Sequence, residues 1–162
     1  MEKRQRPTAE VDNNVGKQRY ERYKSVIDQY NKAMEQGFYL EATTIMESLI
    51  ADRLERLANY VAQKLEGLDS NFSYKTLGEL TRFLNDEKQQ PYLDEDLRKT
   101  IQGITEWKNQ RNRALHEIAK LDDKEEIAFA DLYEDAKATA ERGLKLFRAI
   151  DTQTRKKQSQ NK

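Results

Sequence analysis

Apolar residues recur along the chain at spacings of three and four positions, which is the period of an amphipathic α-helix. The first such stretch runs from Val15 to Gln36, and tyrosines make up much of its apolar side. A second ends at about Glu66, a short third covers Tyr74–Leu84, and a long fourth covers Leu93–Ile118. The last stretch covers Lys124–Ile150. The pattern therefore predicts four long helices and one short helix.

Few residues interrupt these stretches, since the chain has 6 Gly and 2 Pro. Gly37 and Gly67 stand where the first two helices should end, and glycine closes many helices because it adopts the left-handed conformation easily. No segment alternates with the period of two that a strand requires. We therefore predict an all-α, up-and-down bundle at 17–150. A flexible N-terminal tail at 1–16 and a basic, flexible C-terminal tail at 151–162 should flank it.

Composition agrees with one helical domain and excludes several classes of protein. The chain has 162 residues, of which 36% are hydrophobic and 36% charged, so apolar residues must be placed economically to build a core. It has no cysteine, which excludes a disulfide framework, a cysteine-based zinc site and a thiol nucleophile. No window approaches the roughly 20 apolar residues of a membrane helix, and the first residues lack a signal-peptide core. We expect a soluble cytoplasmic protein without membrane contact.

Charge gives no global indication of a nucleic-acid partner, because 29 basic residues balance 29 acidic ones. Basic residues nevertheless gather in the two predicted tails, which leaves an acidic excess between them. Such tails either steer RNA or are simply the solvated ends of a helical domain. The sequence leaves both interpretations open.

One segment of the fourth helix carries candidate chemistry. Between Glu106 and Glu117 the chain has three cations, no acid and its only histidine. Arginine suits phosphate oxygens, and histidine gains or loses a proton near neutral pH. The cations Lys108, Arg111 and Arg113 can equally be solvated side chains of a helix, with His116 interacting with the helix dipole. Residue types alone do not decide between these interpretations.

The same segment resembles the HEPN family, named for higher-eukaryote and prokaryote nucleotide-binding domains. That family's motif is an Arg, a polar residue that is often Asn, and a His four to six residues beyond the Arg, late in a main helix of a bundle. Arg111, Asn112 and His116 match it, and Trp107 before them is common in such segments. The close match covers about a dozen residues, and the remaining agreement lies in the helical order.

The resemblance implies a metal-independent endoribonuclease without a cofactor, in which a ribose 2′-hydroxyl attacks the adjacent phosphate. It implies His116 as the proton-transfer group, Arg111 as the phosphate clamp and Asn112 as the residue that orients the site. The flanking cations Lys108 and Arg113 are candidate RNA-binding residues. Family members often dimerise and act as toxins or phage-defence components, so a homodimer and an antitoxin or nucleotidyltransferase-like partner are expected. The alternative is a non-catalytic module of the same fold that binds RNA or nucleotide.

Two physical constraints follow for a ribonuclease with one histidine. Transesterification benefits from one group that accepts a proton and another that donates one, so a second His116 across a two-fold interface is the simplest source. A slow monomer, with water as the proton donor, is the competing account. On an ideal helix Arg111 and His116 lie about 140° apart, so either the helix loosens before His116 or the cleft wraps around its end.

Other residues have a functional interpretation and a structural one. Glu47 or Asp52 on the second helix can orient Arg111 or His116, or can belong to an exposed salt-bridge face. Tyr20, Tyr23 and Tyr30 can stack bases, or can belong to the core or to a dimer surface. A group of acids can bind magnesium or begin the last helix; its members are Asp122, Asp123, Glu125 and Glu126. A purely structural helical interaction protein is the third hypothesis.

Overall fold

Five α-helices make up most of the described chain, which in this computed structural model comprises residues 13–66, 72, 75–119 and 129–160. No described residue forms a strand, so the predicted all-α fold is confirmed. A single 3-10 turn precedes the fourth helix. The helices are α1 (Asn13–Glu35), α2 (Tyr39–Glu66), α3 (Leu77–Asn85), α4 (Glu95–Ala119) and α5 (Phe129–Gln160), and the 3-10 turn is Gln90–Tyr92.

The four long helices alternate in direction, as the up-and-down prediction requires. Between α4 and α5, Trp107 Nε1 donates a hydrogen bond of 2.8 Å to the carbonyl oxygen of Thr139. Arg142, farther along α5, pairs with Glu106, which precedes Trp107 on α4. The order is thus reversed between the two helices, which means that they are antiparallel.

The helices α2 and α5 run in the same direction and form the centre of the bundle. The rings of Tyr39 and Tyr133 lie 4.7 Å apart at the start of both helices. Farther along both helices, Arg53 Nε donates to Asp151 Oδ1 at 2.8 Å. The core between the long helices is filled by large side chains with no solvent exposure, among them Trp107, Phe147, Met46, Ile50, Leu54, Ile101 and Ile104.

The turn between α1 and α2 depends on a glycine, as predicted. Gly37 has a φ of +76°, which an L side chain rarely adopts. Tyr133 on α5 donates its hydroxyl to the Gly37 carbonyl oxygen at 2.6 Å, and a Cβ at Gly37 would overlap that hydroxyl. Both the backbone conformation and the close approach of Tyr133 therefore require glycine here.

The short helix α3 begins at Leu77 because Thr76 caps it. The Thr76 hydroxyl accepts from Glu79 N at 3.2 Å, and the Glu79 carboxylate accepts from Thr76 N at 2.8 Å. This reciprocal capping box satisfies two backbone N–H groups that a helix start otherwise leaves unpaired. The predicted start at Tyr74 is therefore too early. Leu77, Leu80 and Leu84 point into the core.

The last helix differs most from its prediction. It continues to Gln160, so the expected flexible tail at 151–162 is wrong for 151–160. The reason is tertiary packing: Asp151 and Thr154 are buried, and Asp151 pairs with Arg53 of α2.

The other boundaries differ by smaller amounts. The first helix begins at Asn13, inside the predicted N-terminal tail at 1–16. The rest of that tail, at 1–12, and the predicted first turn of the last helix, at 124–128, lie outside the described residues. None of the described helices combines the length and the apolar character that a membrane span requires.

Candidate functional site

The motif residues lie in the last three turns of α4. This helix is unbroken from Glu95 to Ala119, so it does not loosen before His116. Arg111 and His116 therefore keep the separation of an ideal helix, about 140° around its axis. Of the two arrangements considered for the cleft, a cleft that wraps around the end of α4 is the one compatible with this geometry.

Arg111 is fixed by two neighbours. Its Nη1 donates to Asn112 Oδ1 at 2.7 Å, and its Nη2 forms an ion pair with Glu47 of α2. The Arg111 side chain is 17% exposed and that of Glu47 29%. Because the two interactions fix the orientation of the guanidinium plane, the Arg111 side chain is ordered before any ligand binds.

Asn112 lies between Arg111 and His116 around the axis of α4. Its position on α4 is about 100° from Arg111 and about 40° from His116, because residues one turn apart share a side of a helix. The hydrogen bond from Arg111 therefore ends on a residue that lies on the same side of α4 as His116. His116 itself is exposed. Within the described part of the chain its imidazole has no hydrogen-bond partner, so it is accessible to a ligand.

Glu47 and Asp52 differ in what they contact. Glu47 reaches Arg111, as one of the two interpretations of the sequence requires. Asp52 instead pairs with Arg53 and Arg56 on its own helix, at 2.9 and 3.4 Å. Only Glu47 of these two acids therefore belongs to the candidate site.

The two flanking cations lie on different sides of α4. Lys108 is half-buried beside Gly78 of α3. Arg113 is exposed and lies near Glu117, with 4.0 Å between Nε and Oε1. The two cations are about 140° apart around the helix, and Lys108 lies towards α3. Arg113 is the nearer of the two to His116 around the helix.

The tyrosines of α1 do not form one stacking surface. Tyr30 is buried and Tyr23 half-buried against Phe147, whereas Tyr20 is 62% exposed. Tyr30 and Tyr23 thus pack inward as a core interpretation predicts. The acids considered for magnesium, at 122–126, lie outside the described residues. Among the residues that the structure describes, no three histidine, aspartate or glutamate side chains are placed to hold a metal ion.

A polar groove beside the motif was missed by sequence reasoning. It lies between α4 and α5, has a volume of about 370 Å³, and is lined by Glu106, Asn109, Gln110, Arg113 and Arg142. We call it the α4–α5 groove. Asn109 and Gln110 stand inside the motif segment and were available as a signal. Arg142 is 29 residues beyond Arg113 in sequence, and only the packing of α5 on α4 brings it to the groove.

Comparison with known proteins adds no identification. The chain matches no protein-family model, no curated protein and no solved structure. The fold defines the class, an all-α helical bundle, and any statement about activity depends on the chemistry of the residues described above.

Proposed function

We propose that this chain is a metal-independent endoribonuclease of HEPN type, which cleaves RNA by attack of a ribose 2′-hydroxyl on the adjacent phosphate. One observation carries the proposal: Asn112, which lies one turn before the exposed His116, accepts a hydrogen bond from Arg111. The Arg111 guanidinium also forms an ion pair with Glu47 of α2. A proton-transfer group and a fixed cation thus flank one polar residue at the end of α4.

The chemistry needs a balanced exchange of bonds and protons. The 2′-oxygen forms a bond to phosphorus and loses its proton, while the bond from phosphorus to the 5′-oxygen breaks and that oxygen gains a proton. His116 is suited to the proton transfer because an imidazole can either accept or donate a proton. Arg111 is suited to the charge that develops on the phosphate, since an Nη group that donates to one acceptor has a second N–H to offer.

Glu47 explains how Arg111 can be both fixed and functional. An unpaired guanidinium that is 17% exposed would be costly to bury, and the ion pair offsets that cost. The same ion pair restricts the long side chain to one geometry. A phosphate that arrives therefore meets an already ordered donor, which lowers the entropy lost on binding.

A homodimer is part of the proposal because one imidazole cannot accept and donate a proton in the same step. Support comes from an aromatic cluster at the His116 end of the bundle, where α4 ends, α5 begins and α1 turns into α2. Its exposed members are Phe38, Phe129 and Tyr133, with exposures of 55%, 70% and 36%. Exposed aromatic clusters of this kind are typical of protein contacts.

The decisive experiment is cleavage of mixed cellular RNA by the purified chain in the presence of a chelator. We expect His116→Ala and Arg111→Ala each to reduce the rate by about 100-fold or more, the usual loss when a proton-transfer or charge-stabilising group is removed. The products should end in a 2′,3′-cyclic phosphate, and a 2′-deoxy nucleotide at the cleavage site should block the reaction.

The matched controls are Gln102→Ala and Lys99→Ala, exposed residues in the first half of the same helix. They should leave the rate unchanged. If the motif variants cleave as fast as these controls, the ribonuclease assignment is wrong.

A non-catalytic RNA- or nucleotide-binding module of the same fold is the second candidate, and one observation favours it. Arg111 is largely buried and its charge is already balanced by Glu47, as in a purely structural ion pair. This candidate predicts RNA binding without cleavage, and binding that survives His116→Ala. In either case the context we propose is a toxin or phage-defence system, with an antitoxin or a nucleotidyltransferase-like partner.

A further inference from the structure

The α4–α5 groove begins one turn from His116 on the exposed side of α4. Arg113 and Asn109 precede His116 by three and seven residues, which places them about 4.5 Å and about 10 Å back along the helix axis. Around the axis they are within about 60° of His116. A nucleic-acid strand that lies at His116 and continues towards the middle of the helix therefore passes over this groove.

Arg142 and Gln110 supply hydrogen-bond donors to the groove. Arg142 Nη1 donates to Gln110 Oε1 at 2.9 Å, and its Nη2 donates to Glu106 Oε2 at 3.1 Å. These bonds fix the Arg142 guanidinium across the groove while its side chain stays 40% exposed. Gln110 uses its oxygen for Arg142, so its amide N–H groups remain available for an acceptor.

Charge in the groove favours an anion. Arg113 and Arg142 are positive, and Glu106 is the only acid among the described residues of the lining, while Asn109 and Gln110 contribute neutral amides. Arg113 is 70% exposed, and its one contact with an acid among the described residues is a long one to Glu117, so its guanidinium can turn into the groove without breaking a strong interaction there. Two arginines on adjacent helices can then share one phosphate, which is the geometry for which the guanidinium fork is suited.

We propose that the α4–α5 groove binds a backbone phosphate of single-stranded RNA beside the linkage that is cleaved, with Arg142 and Arg113 as its ligands. This inference rests on the proposed function, because it takes His116 as the place of the scissile linkage. None of the described residues that line the groove is aromatic, so the groove positions the strand through its backbone and does not read bases. The groove therefore selects only weakly for the base of the nucleotide whose phosphate it binds.

The test is RNA binding by the full-length His116→Ala chain, which separates affinity from cleavage. The probe is a fluorescently labelled single-stranded RNA of about 20 nucleotides, and its Kd is measured by anisotropy at several salt concentrations. We expect Arg142→Gln and Arg113→Gln each to raise the Kd about fivefold to tenfold. Each should also reduce the magnitude of the slope of log K against log salt by about 0.7, which corresponds to one lost phosphate contact on a single strand.

The matched control is Arg148→Gln, an exposed arginine of α5 that points away from the groove, which should change neither quantity. Thermal unfolding of every variant shows whether a loss reflects misfolding. Arg113→Gln serves as the second variant here, because this exposed side chain has no role in packing.

The possible outcomes distinguish a failure of the groove proposal from a failure of the ribonuclease proposal. If the wild-type chain does not cleave RNA but its binding shows the expected dependence on Arg142 and Arg113, the groove stands and the ribonuclease proposal fails. If cleavage depends on His116 but both groove variants match Arg148→Gln in Kd and in salt slope, the groove proposal is overturned. Absence of RNA binding, or capture of an acidic protein segment by the groove without RNA binding, overturns it as well.

Discussion

Tyr30 is the residue with the clearest link between pH and stability. Its ring is 3% exposed and its hydroxyl donates to the Ala140 carbonyl oxygen at 3.2 Å. Burial raises the pKa of Tyr30 above its usual value, the negative charge of Glu141 raises it further, and Arg148 opposes both. The folded state therefore holds this proton more tightly than the unfolded state does.

The sign of the pH effect follows from that difference. The stability that protonated Tyr30 contributes is complete below about pH 10 and is lost as pH rises through the folded-state pKa. We expect Tyr30→Phe to cost about 1 kcal/mol at pH 7 through the lost hydrogen bond, and to flatten the decline of stability above pH 10. Urea unfolding at neutral and alkaline pH measures both. Tyr20→Phe is the control, and equal alkaline slopes in the two variants would contradict the account.

Gly143 shows how closely α5 approaches its neighbours. A Cβ at this position would lie 2.9 Å from Trp107 Cζ2 and 3.0 Å from Met46 Cβ. We expect Gly143→Ala to destabilise the bundle by about 1–3 kcal/mol, since the overlap outweighs the higher helix propensity of alanine. Gly16→Ala is the matched control, because a Cβ there meets nothing within 4 Å, and it should be neutral or stabilising. Denaturant unfolding compares the two, and equal effects would refute the packing argument.

At the scale of elements, the last ten residues of α5 are held by an ion pair with α2. Arg53 Nε and Asp151 Oδ1 are 2.8 Å apart, with side chains 15% and 11% exposed. Arg155 also bonds to this carboxylate, with 3.1 Å between Nη2 and Oδ2. The buried Asp151 carboxylate therefore pairs with two arginines, which explains why α5 does not stop at Ile150.

Removal of that acid tests the explanation. We expect Asp151→Ala to cost about 3 kcal/mol, because it leaves Arg53 poorly solvated and unpaired on this side. Asp52→Ala removes an exposed partner of the same arginine, with a side chain 51% exposed, and should cost less than about 1 kcal/mol. Thermal unfolding ranks the two variants. Helical content that is unchanged by Asp151→Ala, together with equal stability, would show that α5 extends for another reason.

At the scale of the whole molecule, the proposed homodimer has a testable surface. We expect the aromatic cluster of Phe38, Phe129 and Tyr133 to lie in the two-fold contact, so a chain with Phe38→Ser and Phe129→Ser should sediment as a monomer. Its RNA cleavage should fall with dissociation, because the second His116 is lost. Sedimentation and cleavage are measured at the same concentrations. A monomeric wild type with full activity would exclude the shared site.

Mixing two inactive chains tests the same idea without disturbing the surface. If each site needs His116 from one chain and Arg111 from the other, a mixture of His116→Ala and Arg111→Ala regains part of the activity. If each site takes both residues from one chain and only a second proton carrier from its partner, the mixture stays inactive while dimerisation persists. The result therefore distinguishes two arrangements of the dimer.

Much of the fold was determined by the sequence alone. Helix identity depends on local periodicity and on stop signals such as Gly37, which is why five helices and their order were predictable. The end of α5 was predicted too early, because the apolar pattern stops near Ile150 while a polar side chain, Asp151, continues the packing. The start of α3 was set by the Thr76 capping box, a signal present in the sequence and overlooked.

The candidate site, like the fold, was predictable only in part. Arg111, Asn112 and His116 were identifiable as a motif because they are neighbours in the chain, and their roles remain a proposal. The contact between Arg111 and Glu47 depends on the register of α2 against α4. The groove that Arg142 forms with Arg113 depends on the register of α5 against α4. Those registers arise from side-chain packing between residues far apart in sequence, such as Trp107 against Gly143. The periodic pattern determines which side of each helix is buried, and only the packed core decides which polar residues on different helices meet.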